Sequence, residues 1–137
     1  MKALFILLSL LSFGALAAPV KLNFTQTMGK SGKVLFAVFN SSSQFPKGTA
    51  VKTGGVAVSG RDVTATIDLP PGTYAISVFL DENGNGKLDQ NVIGIPKERF
   101  GFSNNPRILT GPPSFNDCAV RVLDQQNDLD IRLIKLF

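Results

Sequence analysis

Oxygen-bearing side chains recur through the nine-residue segment DENGNGKLD, which follows a run of apolar residues. Carboxylate or amide oxygens stand at its first, third, fifth and ninth positions, and a glycine stands at the sixth. Ca²⁺ takes six to eight oxygen ligands, and a chain wraps the ion most easily when its ligands alternate along the sequence. The segment therefore predicts a structural calcium loop with these ligands: Asp81, Asn83, Asn85, the backbone carbonyl of Lys87, and Asp89.

The spacing matches the first half of the EF-hand pattern D-x-[DN]-x-[DN]-G. It departs at the twelfth position, where Val92 replaces the bidentate glutamate, and an apolar strand rather than a helix leads into it. The missing ligand is expected from Asp117, Glu98 or Asp124, or from water. With two formal charges in the loop, we expect an affinity of roughly 10⁻⁴ to 10⁻³ M, as in extracellular modules.

A bare turn is the alternative interpretation of the same segment. Asn-Gly is a strong tight-turn sequence, and Asp and Asn side chains often accept hydrogen bonds from their own backbone. A plain turn does not need oxygens at positions one, three, five and nine, and this spacing favours calcium. Magnesium is disfavoured because it prefers few protein ligands and keeps its waters.

The elements around this loop are strands, because apolar residues recur with period two instead of 3.6. Strands are predicted over residues 20–25, 33–40, 54–59, 63–69, 74–80, 119–123 and 129–136. The second is apolar on both faces, as in a central strand. This pattern predicts an all-β sandwich of about seven strands, with a closed barrel as the alternative.

The turn Pro70-Pro71-Gly72 precedes the strand that leads into the loop. So short a turn predicts antiparallel pairing of the strands on either side. Tyr74, directly after the turn, is expected to bond back to it as in a tyrosine corner. Residues 91–117 lack any sustained period, and we expect them to form a long excursion anchored by Phe100, Phe102 and Phe115.

The N-terminus has the pattern of a secretory signal peptide. Met1-Lys2 is basic, residues 3–14 are mostly apolar, and Ala15-Leu16-Ala17 fits the small-x-small cleavage pattern. The apolar run is shorter than the ~20 residues that a spanning helix needs. We therefore predict a signal peptide over 1–17, one domain over 18–137, a periplasmic or secreted location, and no transmembrane segment in the mature chain.

The composition disfavours several kinds of partner and catalytic site. The chain has a formal net charge of +4, but its basic residues are scattered, so no nucleic-acid partner is expected. It has no histidine, which removes the usual general base and the commonest zinc ligand. Its only cysteine, Cys118, begins an apolar run and is expected to be buried and inert.

The blocks LPPGTYAISVFLDENGNGKLD, IGIPKERFGFSNN and GPPSFNDCAV, in this order, resemble a family of small exported bacterial proteins of unknown function. The first block also resembles prealbumin-like and collagen-adhesin B-type modules. The resemblance implies an immunoglobulin-like (prealbumin-like) Greek-key sandwich and no established activity. Hydroxyisourate hydrolases share the prealbumin-like resemblance but depend on histidines, so their activity does not carry over.

These observations predict a non-enzymatic exported module that acts as a binding or accessory protein for an unknown protein or envelope component. Segment 94–105, GIPKERFGFSNN, is either a wrapped surface loop or a recognition loop with these polar contacts: Lys97, Glu98, Arg99, Ser103, Asn104 and Asn105. One alternative is an envelope protein that assembles through sheet edges. The other is a small hydrolase, using a carboxylate pair such as Glu98 with Asp117 or a Ser-Lys arrangement.

Overall fold

The computed structural model describes residues 16–29 and 31–136. The predicted signal peptide falls almost entirely on residues outside this part of the chain. The observed elements, in chain order, are β1 (Ala18–Thr25), β2 (Lys33–Phe39), β3 (Lys52–Ala57), β4 (Val63–Leu69), β5 (Gly72–Asp81), β6 (Phe100–Phe102), α1 (Phe115–Cys118), β7 (Val120–Val122) and β8 (Asn127–Arg132). The described part of the chain contains no helix that is long and apolar enough to cross a membrane.

The strands form two sheets, which confirms the all-β sandwich. The first has the order β4-β1-β8, and the second has the order β3-β2-β5-β6, with β7 also pairing with the start of β5. Two features were not predicted: β1 and β8 pair in parallel, and Phe100–Phe102 forms a short eighth strand in the segment without period. Backbone hydrogen bonds exchanged by Phe100 and Ile134 join β6 to the chain just after β8.

The predicted pairing of the strands on either side of Pro70-Pro71-Gly72 is wrong. Strand β4 pairs with β1 in the first sheet, whereas β5 pairs with β2, β6 and β7 in the second. The short turn carries the chain from one sheet to the other because both strands bury their apolar faces in the core between the sheets. The expected tyrosine corner is confirmed: the Tyr74 hydroxyl donates to the Pro70 carbonyl at 2.6 Å.

The main core lies between the two sheets and is built from the predicted inward positions. Val20, Leu22 and Phe24 of β1 are fully buried, as are Val34 and Val38 of β2. On β5 the even positions Tyr74, Ile76, Val78 and Leu80 belong to this core. The odd positions of β5 consequently lie on the outer face of the second sheet.

A second, smaller core covers one end of that outer face. It contains Phe39, Ala75, Phe45 and Cys118, with Phe102 and Phe115 packed against it. Phe45 makes edge-to-face contacts with Phe39, Phe102 and Phe115, with ring centroids 5.5 to 6.1 Å apart. This confirms that the phenylalanines of residues 91–117 anchor the long excursion. This cluster lies at the Ala75 end of β5. It does not include the Asp81 end, which leads into the candidate loop.

Candidate metal centre

Asp81 is the last residue of β5, and its side chain begins the candidate loop. It is only 5% exposed. One carboxylate oxygen accepts a hydrogen bond from the Gly84 N–H at 3.1 Å, and the other accepts from the Gly86 N–H at 2.8 Å. Gly86 has φ +72°, a conformation that glycine adopts without steric cost, so the chain can turn at the residue whose N–H bonds to Asp81. Asp81 therefore fixes the first half of the loop.

The side chains of Asn83, Asn85 and Asp89 meet in the second half of the loop. The Asn83 amide nitrogen donates to one Asp89 carboxylate oxygen at 2.5 Å, and the Asn85 amide nitrogen donates to the other at 2.8 Å. The Asn85 hydrogen bond, followed by that from Asn83, lowers the pKa of the Asp89 carboxyl below its ordinary value of 3.8. The Asp89 carboxylate is consequently ionised at neutral pH.

The two amide oxygens face the backbone. The Asn83 oxygen accepts from the Asn85 N–H at 3.2 Å, and the Asn85 oxygen accepts from the Lys87 N–H at 3.0 Å. These are the local turn bonds that the alternative interpretation expected. A half-turn of each amide about its Cβ–Cγ bond would turn both oxygens toward Asp89, but it would cost these two turn hydrogen bonds, because amide N–H₂ groups would then face the Asn85 and Lys87 N–H groups.

Glu98 lies across the base of the loop and is 5% exposed. Its carboxylate accepts from the Glu82 N–H at 2.8 Å and from the Asp89 N–H at 3.1 Å, with a different oxygen for each. It therefore joins the start and the end of the loop. The backbone supports the same closure, because the Lys97 N–H donates to the Asp89 carbonyl at 2.8 Å.

Of the three donors proposed for the missing ligand, the structure brings only Glu98 to the loop. Asp117 lies in α1, beside Cys118 and the Ala75 end of β5, and its side chain caps the helix through Ser114. Asp124 follows β7, which pairs with residues Gly72–Tyr74. Six or seven residues of extended strand separate these positions from Asp81, about 20 Å or more. Asp117 and Asp124 are therefore wrong as ligands of this loop.

Within the described residues, no group of three or more His, Cys, Asp or Glu side chains is arranged to hold a metal ion. The predicted set contains two carboxylates, Asp81 and Asp89, and otherwise depends on amide and backbone oxygens, namely Asn83, Asn85 and Lys87. Such a set suits a hard cation such as Ca²⁺, which accepts neutral oxygen ligands. It does not suit zinc, which prefers nitrogen and sulfur.

A family model described as an uncharacterized protein conserved in bacteria (DUF2141) matches residues 23–130. The chain belongs to this family. No curated protein and no solved structure matches the chain. The matched region of this DUF2141 chain includes the loop, Glu98 and the Tyr74 corner, and the family brings no assigned activity to them.

The polar end of GIPKERFGFSNN has structural partners in the DUF2141 chain. The Ser103 hydroxyl is buried, accepts from the Ile76 N–H and donates to the Cys118 carbonyl. The Asn104 amide donates to the Asp117 carbonyl, and the Asn105 amide donates to the Asp130 carbonyl. These three residues tie the excursion to the sandwich, as the wrapped-loop interpretation expects. Lys97 remains exposed and Arg99 is half-buried.

The hydrolytic pair proposed from the sequence is not assembled. Glu98 contacts the base of the loop, whereas Asp117 lies near the opposite end of β5. Cys118 is fully buried, and burial, reinforced by the charge of Asp117, raises the pKa of its thiol to about 12. This confirms that Cys118 is a buried core residue, and a thiol with so high a pKa is a poor nucleophile.

Proposed function

We propose that this DUF2141 chain is a non-enzymatic exported binding module whose loop 81–89 binds a structural Ca²⁺. The observation that carries the proposal is the convergence of the Asn83 and Asn85 amides on the Asp89 carboxylate. The amide N–H groups supply partial positive charge to the carboxylate. If both amides were reversed, their oxygens would face the carboxylate, and these oxygens would repel one another unless a cation lay among them. The cation would then supply the positive charge.

Asp81 and Glu98 support this assignment by holding the loop in one shape. Each accepts two backbone hydrogen bonds, so the path of the loop is set by side chains of the domain itself. A carboxylate oxygen that accepts one N–H hydrogen bond retains a lone pair. Asp81 is therefore able to hold the loop and to bind the ion at the same time. Preorganisation of this kind lowers the entropy that ion binding must offset.

Because Asp81 and Glu98 hold the loop through four backbone hydrogen bonds, we expect calcium to have a modest effect on stability. If the dissociation constant is roughly 10⁻⁴ to 10⁻³ M, an excess of ten- to a hundredfold stabilises the fold by about 1.4 to 2.7 kcal/mol. For a domain of this size this corresponds to a rise in Tm of very roughly 5–10 °C. The ion would then act as a clamp that orients residues 90–99 and not as a switch between two folds.

The test is thermal melting of the mature chain with Ca²⁺, with Mg²⁺ and with a chelator. We expect Ca²⁺ to raise Tm and Mg²⁺ to raise it less. D89N and D81N should abolish the rise, whereas D124N, at the far end of β5, should retain it. No rise at millimolar Ca²⁺, or an equal rise in D89N, would overturn the calcium assignment and favour the bare turn.

Three observations support a binding role over catalysis. The chain has no histidine. The Glu98 and Asp117 carboxylates are held on separate parts of the fold, and Ser103 and Cys118 are buried in structural contacts. Activity screens with ester, peptide and glycoside substrates are expected to give no turnover above a denatured control. Turnover that is lost in E98Q would favour the hydrolase instead.

A further inference from the structure

Two β-branched apolar side chains stand at the tip of the turn that follows the loop. Val92 is 103% exposed and Ile93 is 74% exposed. A single exposed apolar residue is ordinary on a protein surface and needs no explanation. Two in succession at the apex of a turn are different, because neither packs on the domain that presents them.

The turn holds these side chains outward. The Asn91 side-chain oxygen accepts from the N–H groups of Ile93 and Ile95, both at 3.0 Å. The Asn91 N–H donates to the Ile95 carbonyl at 2.9 Å, and the Gly94 N–H donates to the Asn91 carbonyl at 3.0 Å. A bridge between Gln90 and Pro96 closes the base. Four hydrogen bonds in five residues oppose a collapse that would bury the apex.

The acidic and basic side chains near this tip have different surroundings. The half-exposed Asp89 carboxylate lies near Lys97 and accepts from the Asn85 amide, whereas the buried Glu98 carboxylate accepts from the Glu82 N–H. Lys87 and Lys97, which flank the turn along the chain, are exposed. Glu82 is also exposed, and its backbone N–H is held by Glu98 at the base of the loop. Along the chain, the tip therefore lies between two exposed lysines, while the carboxylates of Asp89 and Glu98 are hydrogen-bonded within the loop.

We propose that this tip inserts into the surface of an anionic phospholipid bilayer, with Val92 and Ile93 at the headgroup–acyl boundary and Lys87 and Lys97 on lipid phosphates. The inference rests on the proposal that the chain is an exported binding module, but not on the calcium site. A bilayer accepts a convex apolar tip without a complementary pocket. Two side chains are too small a contact for a stable protein–protein interface, which buries about 1,200 Å² or more. Insertion this shallow needs the second, electrostatic contribution that the lysines supply.

The first experiment places a fluorescent reporter at the tip. The chain has no tryptophan, so I93W introduces the single indole. L109W is the matched control, since Leu109 is 73% exposed on a different loop. With phosphatidylglycerol vesicles, I93W emission should shift to the blue and be quenched by lipids brominated on the acyl chain, while L109W stays unchanged. Equal shifts in both variants, or none in I93W, would overturn the proposal.

The second experiment measures co-sedimentation with sucrose-loaded vesicles. The V92S/I93S double variant should partition at least about tenfold more weakly than the unaltered chain, and L109S should match the unaltered chain. K97Q and high salt should both weaken partitioning, and vesicles of phosphatidylcholine alone should bind little. Partitioning that V92S/I93S leaves unchanged would show that the tip is not the contact. Thermal melts of each variant confirm that it is folded.

Calcium is varied separately, because the two proposals fail in different ways. If the tip proposal alone is wrong, Ca²⁺ still raises Tm in the absence of lipid, but no variant of Val92 or Ile93 changes sedimentation. If the calcium assignment alone is wrong, Tm is insensitive to Ca²⁺ while I93W still shifts in chelator. Capture of the tip by a protein in place of lipid would appear as no vesicle binding at any salt concentration, which overturns the inference.

Discussion

The carboxylate of Glu98 accepts a hydrogen bond from the backbone N–H of Asp89 at 3.1 Å, across nine residues of chain. Its other oxygen accepts from the Glu82 N–H at 2.8 Å, so one buried side chain joins both ends of the loop. This relationship links the candidate metal centre to the apolar tip, because the tip lies between Asp89 and Glu98. The position of the tip depends on the same side chain that closes the loop.

Replacement of this carboxylate should therefore loosen the whole region. In E98Q one of the two N–H donors faces an amide N–H₂ group and loses its acceptor, which costs about 2 kcal/mol for a buried donor. Urea unfolding measures the loss. E82Q, which changes an exposed neighbour without removing an acceptor, should stay within about 0.5 kcal/mol of the unaltered chain. Equal losses in the two variants would contradict the clamp.

Asp89 should give the loop a measurable pH dependence. Its pKa is lowered in the folded chain, chiefly by the Asn85 amide and then by the Asn83 amide. A group with a lowered folded pKa contributes stability that is present above its ordinary value of 3.8 and is lost as the pH falls through the folded value. Carbon-detected NMR titration should place the folded pKa of Asp89 below 3.8.

The same titration in N85A should show a rise in the Asp89 pKa, because the largest cause of the shift is gone. N23A, which removes an exposed amide from β1, should leave the Asp89 pKa where it was. A folded pKa that does not respond to N85A would mean that the amide does not stabilise the ionised carboxylate.

Cys118 should behave as a small buried hydrophobe. C118A leaves only a small cavity and is expected to cost on the order of 1 kcal/mol, whereas C118S buries a hydroxyl and should cost more, about 2 kcal/mol. A thiol reagent should label the native chain far more slowly than the unfolded chain. Because the folded pKa is raised from 9.0 to about 12, the stability contributed by the neutral thiol is lost as the pH rises through that window.

A C118A variant more than about 3 kcal/mol less stable than the unaltered chain would indicate a larger packing role than this. Rapid labelling of the native chain at neutral pH would indicate that the thiol is accessible, contrary to its full burial.

The sequence was sufficient for the strands and insufficient for part of their pairing, for physical reasons. Alternation of apolar residues predicts strands locally, and Val20, Leu22 and Phe24 are all buried as that pattern requires. Pairing depends on partners far along the chain. Val20 of β1 lies beside Asn127 of β8 and also opposite Ile67 of β4. The rule that a short turn joins paired strands failed because it ignores the second sheet.

In the candidate site, too, the local pattern could be predicted from the sequence and the long-range contacts could not. The spacing of Asp81, Asn83, Asn85 and Asp89 is local, and the structure brings the last three together around one carboxylate. Glu98 was one of three donors that sequence alone left open. Its selection requires the path of the chain through residues 90–98, where a bridged turn returns it to the loop. Asp117 is excluded because α1 packs near the Ala75 end of β5, and no local pattern encodes this long-range packing.

Gly32 should be the glycine least able to accept a side chain at the base of the loop. It has φ +126° and lies against the Asp81 backbone, and a Cβ there would overlap the Asp81 carbonyl oxygen. Backbone strain and overpacking together predict that G32A costs about 3 kcal/mol or more. Because the clash is with Asp81 itself, the loss should be accompanied by a smaller rise in Tm with Ca²⁺ if the calcium assignment is correct.

Gly29 provides the matched control for this change. It also has positive φ, +64°, but a Cβ there would meet nothing within 4 Å. G29A should therefore cost only the backbone strain, about 1 kcal/mol. Urea unfolding of the two variants separates strain from the contact with Asp81. If G32A and G29A lose the same stability, the close approach of Gly32 to Asp81 does not constrain the loop.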